Sequence, residues 1–197
     1  MKKKKIIIIV LIIIAVLVVL FTVRIPKQNK TSVEQTGLIN EEEKKIVTDD
    51  FEIVLPAGWE KTTPAMGTSA MAVKINEDLN DPTAQKINFR SYFAVSYDTL
   101  QDKTMPEYLE ILKNGVKQTA SGVVLTKDED LTINNKLAHV IEAKIAQQGA
   151  DFKVLLIIIT GQEKDVWVMS FNTTQGKWEE YKDVFYGIAN SFKLKML

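Results

Sequence analysis

Hydrophobic positions follow three rhythms along this chain. From Ile6 to Val23 they are continuous, 18 residues without a charge. Between Phe51 and Asn172 they mostly alternate with polar ones at period two, the spacing that puts every second side chain on one face of a strand. After Thr104 and again after Trp178 they recur every three or four residues, which is one face of a helix. The alternating stretches predict strands over 51–55, 70–75, 87–97, 122–126, 137–146, 152–160 and 166–172. In 87–97 the pattern sets Phe89, Ser91, Phe93 and Val95 on one side and Arg90, Tyr92, Ala94 and Ser96 on the other. The run Leu155-Leu156-Ile157-Ile158-Ile159 is apolar on both faces, so its strand belongs in the middle of a sheet covered on both sides. In 166–172, Trp167, Met169 and Phe171 share a face.

Breaks between these stretches predict the connections. Pro56-Ala57-Gly58 ends the first strand and leaves Trp59 just beyond the turn. Loops are expected over 62–69 and 76–85, and a turn over the charged stretch 127–131. Asn134-Asn135 offers two positive-φ positions for a tight hairpin, and Gly161 and Asp165 mark another. Thr104-Met105-Pro106-Glu107 is a capping box with proline in the first turn, opening a helix that runs to about Thr119 with Leu109, Leu112 and Val116 on its apolar face. The last helix carries Trp178, Tyr181, Phe185, Ile188 and Phe192 on one face, with Glu179, Glu180, Lys182 and Asp183 opposite. Such a stripe reads as core and not as an open aromatic groove, and with Phe51, Leu55, Trp59 and Trp167 it forms the expected core set. Upstream, Asn40 is placed to cap a short helix with Glu43 in its first turn. Short turns between strands imply a mainly antiparallel sheet and an α+β domain.

The continuous run determines where that domain sits. As a helix it spans about 27 Å, close to the ~30 Å hydrocarbon core of a bilayer. It exceeds the apolar region of a cleavable signal and exits through Phe21-Thr22-Val23-Arg24-Ile25-Pro26, which has no Ala-x-Ala site. With no cysteine in the chain, a lipoprotein anchor is excluded. Lys2, Lys3, Lys4 and Lys5 precede the span more densely than Arg24, Lys27 and Lys30 follow it, which keeps the N-terminus in the cytoplasm. The organisation expected is a basic tail over 1–5, a transmembrane signal-anchor over 6–23, a linker over 24–45 and an extracytoplasmic domain over 46–197. The chain would then be a single-pass protein of the cell membrane.

Charge narrows the partners. The formal net charge is +0, but seven of the 25 basic residues precede Thr31 and no acidic residue does. Beyond that point 18 basic residues face 25 acidic ones. A domain of that balance is not a nucleic-acid binder, and anionic lipid heads repel it. Chemistry is sparse. His139 is the only histidine and reads as a structural or surface residue. No Gly-x-Ser-x-Gly, phosphate loop or dinucleotide fingerprint occurs. Glu41-Glu42-Glu43 and Asp128-Glu129-Asp130 lack the spaced oxygen ligands of a calcium loop and read as solvated runs. No metal, cofactor or catalytic residue is expected.

The order of elements, together with Phe51-x-Ile53-x-Leu55-Pro56-x-Gly58-Trp59 at the start and Ile188-Ala189-Asn190-Ser191-Phe192-Lys193 at the end, resembles the PsbP-like superfamily. Asn135-x-x-Ala138 opening a later strand adds to the likeness. That superfamily includes the extrinsic photosystem II subunit, a Ran-binding nuclear transport factor and bacterial exported proteins of unassigned role. The resemblance implies an antiparallel sheet sandwiched between helices, in an α/β/α arrangement, and a binding or assembly role without catalysis. It carries over no photosynthetic role and no binding residue. The expectation is therefore a membrane-tethered, non-enzymatic module engaging a protein partner in the cell envelope. The alternatives are a binder of a small apolar ligand or lipid and, more weakly, a hydrolase built on two converging carboxylates.

Overall fold

A computed structural model describes residues 44–65, 67–120 and 122–195. The doubly apolar run lies in β8 (Ala150–Thr160), and the sheet grows outward from it. β6 (Val124–Ile133), β7 (Lys136–Gln147), β8 and β9 (Asp165–Thr174) form a continuous antiparallel meander. Its first turn puts Asn134 at φ 47° and Asn135 at φ 62°, the pair of positive values that lets a two-residue hairpin match the strand twist. Beyond β9 lie β5 (Tyr92–Thr99), β4 (Ala70–Lys74) and the short β3 (Trp59–Lys61), giving the order β3-β4-β5-β9-β8-β7-β6. A second, three-stranded sheet joins β1 (Lys45–Val47), β2 (Phe51–Val54) and β10 (Lys193–Leu194), with β2 in the middle.

Helices cover both faces of the large sheet. On one side lie α1 (Pro82–Lys86) and α2 (Met105–Thr119), whose Ala84, Leu109, Leu112 and Val116 pack on Ile141, Leu156, Ile158 and Val168. α2 also carries the chain from β5, inside the sheet, to β6 at its far edge. On the other side α3 (Trp178–Asn190) and the small sheet close over Leu155, Ile157, Ile159, Trp167, Met169 and Phe171. This second core is aromatic. Phe51 meets Trp167 edge-on at 5.2 Å between ring centres, and Phe171 meets Phe185 at 5.1 Å.

Several elements differ from the sequence reading. The stretch 76–85 is not all loop: Asp81 accepts hydrogen bonds from the Thr83 and Ala84 amides and, with Pro82 after it, starts α1. The strand expected from residue 87 begins at Tyr92, because Asn88 takes φ 51° and breaks the extension. Phe89 therefore packs beside Tyr92 and Phe152 under the α1–α2 layer and does not share the Phe93 face. The charged stretch 127–131 is no turn but the middle of β6, paired along β7 with a bulge between Leu125 and Lys127. Charges are tolerated there because β6 is an edge strand, where they also discourage pairing with other chains. The linker read to residue 45 runs into strand, since Lys45 begins β1. Asn40, Glu41, Glu42, Glu43, the apolar run and the residues before it lie outside the described residues. Among the described residues no helix is long and apolar enough to cross a membrane.

Candidate functional site

A groove of about 510 Å³ opens between the first turns of α2 and the sheet at β7 and β8. The capping box sets its helical wall: the Glu107 carboxylate accepts from the Thr104 amide at 2.8 Å, and the Thr104 hydroxyl accepts from the Glu107 amide at 3.5 Å. Met105, Pro106 and Leu109 thus face Leu137 and Ile158 across the opening. Thr160 closes this apolar end, its hydroxyl donating to the Leu137 carbonyl at 3.1 Å.

The other end is polar and depends on the β6 bulge. Beyond it, Asp128 pairs with Ile141 and Asp130 with His139, so both carboxylates stand on the α2 side of the sheet. His139 lies between them, Nε2 at 2.6 Å from Asp128 and Nδ1 at 2.6 Å from Asp130. Each ring nitrogen thus meets an oxygen of a different carboxylate. Lys113 of α2 reaches across to Asp128 at 2.9 Å and to Glu110 at 2.5 Å. The hydrogen bond from Lys113, and secondarily that from His139, holds the Asp128 carboxyl below the usual aspartate range. Glu110 and Asp128 in turn raise the Lys113 ammonium above the usual lysine range.

Both His139 nitrogens are engaged, leaving no free lone pair aimed into the groove to serve as a base. Among the described residues no group of three or more histidine, aspartate or glutamate side chains is arranged to hold a metal. The opposite face of β6 and β7 holds a second polar assembly. Lys153, a buried cation, contacts Glu142 at 2.8 Å, donates to the Thr126 hydroxyl and lies 4.9 Å from the centre of the Trp178 ring. Tyr186 donates to Glu142 at 3.3 Å and accepts from Lys127 at 3.2 Å. Nearer the start of α2, burial raises the Asp98 carboxyl above the usual aspartate range, and its Oδ2 is enclosed beside the Tyr108 hydroxyl, each the other's neighbour.

A family model described as PsbP matches residues 42–194. The chain belongs to the PsbP family. Solved structures agree on the fold. Cyanobacterial PsbP from Synechocystis matches at a TM-score of 0.54 and 15% identity, covering 83% of this chain and 99% of that one. LpqN of Mycobacterium tuberculosis, described as involved in cell envelope biogenesis, matches at 0.56 and 13%, covering 80% and 87%. The Ran-binding protein Mog1p of Saccharomyces cerevisiae matches at 0.52 and 12%, covering 77% and 95%. No curated protein matches the chain by sequence.

In this PsbP domain the two motifs that carried the resemblance meet in space. Ser191, at the end of α3, accepts from the Val54 amide at 3.0 Å and donates to the Ile188 carbonyl at 2.6 Å, fastening the last helix to the opening strand. The Pro56–Trp59 turn needs Gly58 at φ 78°, and a side chain there would strike the Lys74 ammonium. Both motifs therefore maintain the fold and lie away from the groove. Phe51, Leu55, Trp59, Trp167, Tyr181, Phe185, Ile188 and Phe192 are buried under α3 and the small sheet, on the side of the large sheet opposite the groove. Trp178 is only half-buried, at the rim of that core over Lys153. Lys2, Lys3, Lys4, Lys5, Ile6, Val23 and Arg24 lie outside the described residues. Sequence reasoning missed the partnership of His139 with Asp128 and Asp130. The available signal was the alternation of Lys127 and Glu129 against Asp128 and Asp130, running on into Leu131 and Ile133.

Proposed function

We propose that this PsbP-family chain is a membrane-tethered, extracytoplasmic, non-catalytic module that engages a protein partner of the cell envelope through the groove between α2 and the sheet at β7 and β8. One observation carries the reading: Leu137 stands 74% exposed at the apolar end of the groove, beside Leu109 and Ile158. A large apolar side chain held in water on a rigid strand next to a concave apolar wall is suited to be covered by another molecule. The tether, argued from the apolar run Ile6 to Val23 and the lysines before it, would concentrate the domain beside other membrane proteins. The envelope role described for LpqN and the partner binding described for Mog1p support a binding role within the same fold.

The experiment is site-specific photocrosslinking in cells from the full-length chain, with the probe at position 137 and a control probe at the exposed Lys144. A discrete envelope protein captured from 137 and not from 144 is expected. Equal capture from both positions, or none from either, defeats the reading. A second reading, a small apolar ligand, is favoured by the volume of the groove, which falls within the roughly 300–1,000 Å³ of small-molecule sites. Lipid or another apolar molecule retained by the purified protein and lost on Leu137→Asp would favour it.

A further inference from the structure

We propose that the groove takes a protein segment that inserts an apolar side chain between Leu109, Leu137 and Ile158 and lays a lysine or arginine against Asp130 and Glu110. This rests on the groove being a protein-binding site and adds the chemistry of the occupant.

The argument is the way charge is layered at the polar end. Its two basic groups lie underneath: the Lys113 side chain is 15% exposed and the His139 side chain 13%. Each is already held between two carboxylates. The carboxylates face outward, with Asp130 87% exposed and Glu110 64%. Three carboxylates therefore meet at most two positive charges, and the atoms presented to an arriving molecule are oxygens that accept and cannot donate. Glu107, one turn earlier on α2, is also exposed, and Lys103, just ahead of that helix, is paired with Asp102. Such a rim repels an anionic lipid headgroup or an acidic peptide. An uncharged apolar ligand would fill one end of the groove and leave the other unused. A segment with an apolar anchor and an adjacent cation matches both ends, and an arginine has the planar fork to meet two carboxylates together.

The test pans a displayed library of random dodecapeptides against the full-length protein in phosphatidylcholine nanodiscs, beside Leu137→Asp and the double variant Glu110→Gln/Asp130→Asn. These side chains are exposed, and melting temperatures equal to wild type confirm that the variants fold. Enriched peptides should pair leucine, isoleucine, phenylalanine or methionine with a neighbouring lysine or arginine. Their binding should vanish in Leu137→Asp, weaken about tenfold in the double variant, and fall with added salt in wild type only. Groove-dependent peptides with acidic or uncharged flanks, or peptides indifferent to the double variant, overturn the proposal while leaving the groove as a protein site. Peptides indifferent to Leu137→Asp, or no enrichment at all, overturn both. Binding to phosphatidylglycerol vesicles that needs Leu137 would assign the groove to a lipid surface and also overturn the proposal.

Discussion

Replacing Lys153 with methionine should expose how strongly the buried ion pair behind β7 is coupled. The Lys153 side chain is 5% exposed and that of Glu142 12%, and their charged atoms are 2.8 Å apart. Removing one partner of a buried pair typically costs 3–5 kcal/mol, because the other charge is left desolvated and unpaired. Glu142 keeps the Tyr186 hydroxyl at 3.3 Å, which places the expected loss at the lower end, about 3 kcal/mol. The ammonium also leaves the Trp178 ring, but the methionine thioether packs on the same indole and offsets most of that loss. For a domain of this size the cost corresponds to a melting temperature lower by roughly 6–12 °C. Glu142→Gln made on top of Lys153→Met removes the orphaned charge while keeping an acceptor for Tyr186, so the double variant should recover to within about 1 kcal/mol of wild type. The assay is urea unfolding of the full-length protein in mild detergent, followed by near-ultraviolet circular dichroism. A Lys153→Met protein as stable as wild type, or a double variant no better than the single one, would show that the pair is solvated and the reasoning wrong.

Phe185→Ala should cost about 3–5 kcal/mol, since the ring is fully buried against Trp59, Phe171 and Tyr181, whereas half-buried Trp178→Ala should cost clearly less; paired denaturation curves decide the ranking. Burial places the folded-state pKa of Asp98 above its unfolded value, so its contribution to stability is full below the unfolded value and is lost as pH rises through the folded one. Asp98→Asn should therefore gain on wild type as pH is raised from about 4 toward neutrality, and a stability difference that does not change with pH refutes this. Gly58→Ala should destabilise by about 1 kcal/mol or more through its positive φ, since the Lys74 ammonium can swing aside, and a thermal melt unchanged from wild type would contradict that account.

The parts of the fold that were legible were those in which local chemistry and burial agree. β8 announces itself because both faces are apolar, and α2 because Thr104, Pro106 and Glu107 satisfy its first turn locally. The Asn134-Asn135 hairpin follows from backbone preference alone. β6 was illegible for the opposite reason. An edge strand has one covered side and tolerates charge, so Lys127 to Asp130 carry the composition of a turn while adopting the geometry of a strand. α1 is a single turn whose only sequence mark is aspartate before proline. The groove is harder still. Glu110, Asp130 and His139 come together through a crossover, a bulge and a register, and the alternation that sets Asp128 and Asp130 on one face reveals none of these.

The small sheet has a mechanical consequence. β1 and β10 flank β2, so the chain enters and leaves the described domain at one place, on the side away from the groove. Tension applied to the chain ahead of Lys44 is borne first by the three residue pairs between β1 and β2. If they part, residues 44–50 become a free segment with a contour of about 24 Å, at some 3.4 Å per residue, before β2 is loaded. β2 is held on its other side by β10 and, through the Val54 amide, by Ser191 at the end of α3. The seven-stranded sheet stands behind both. The domain thus has a short extensible leash in front of a stiff body, and a partner seated in the groove would not feel the first pull.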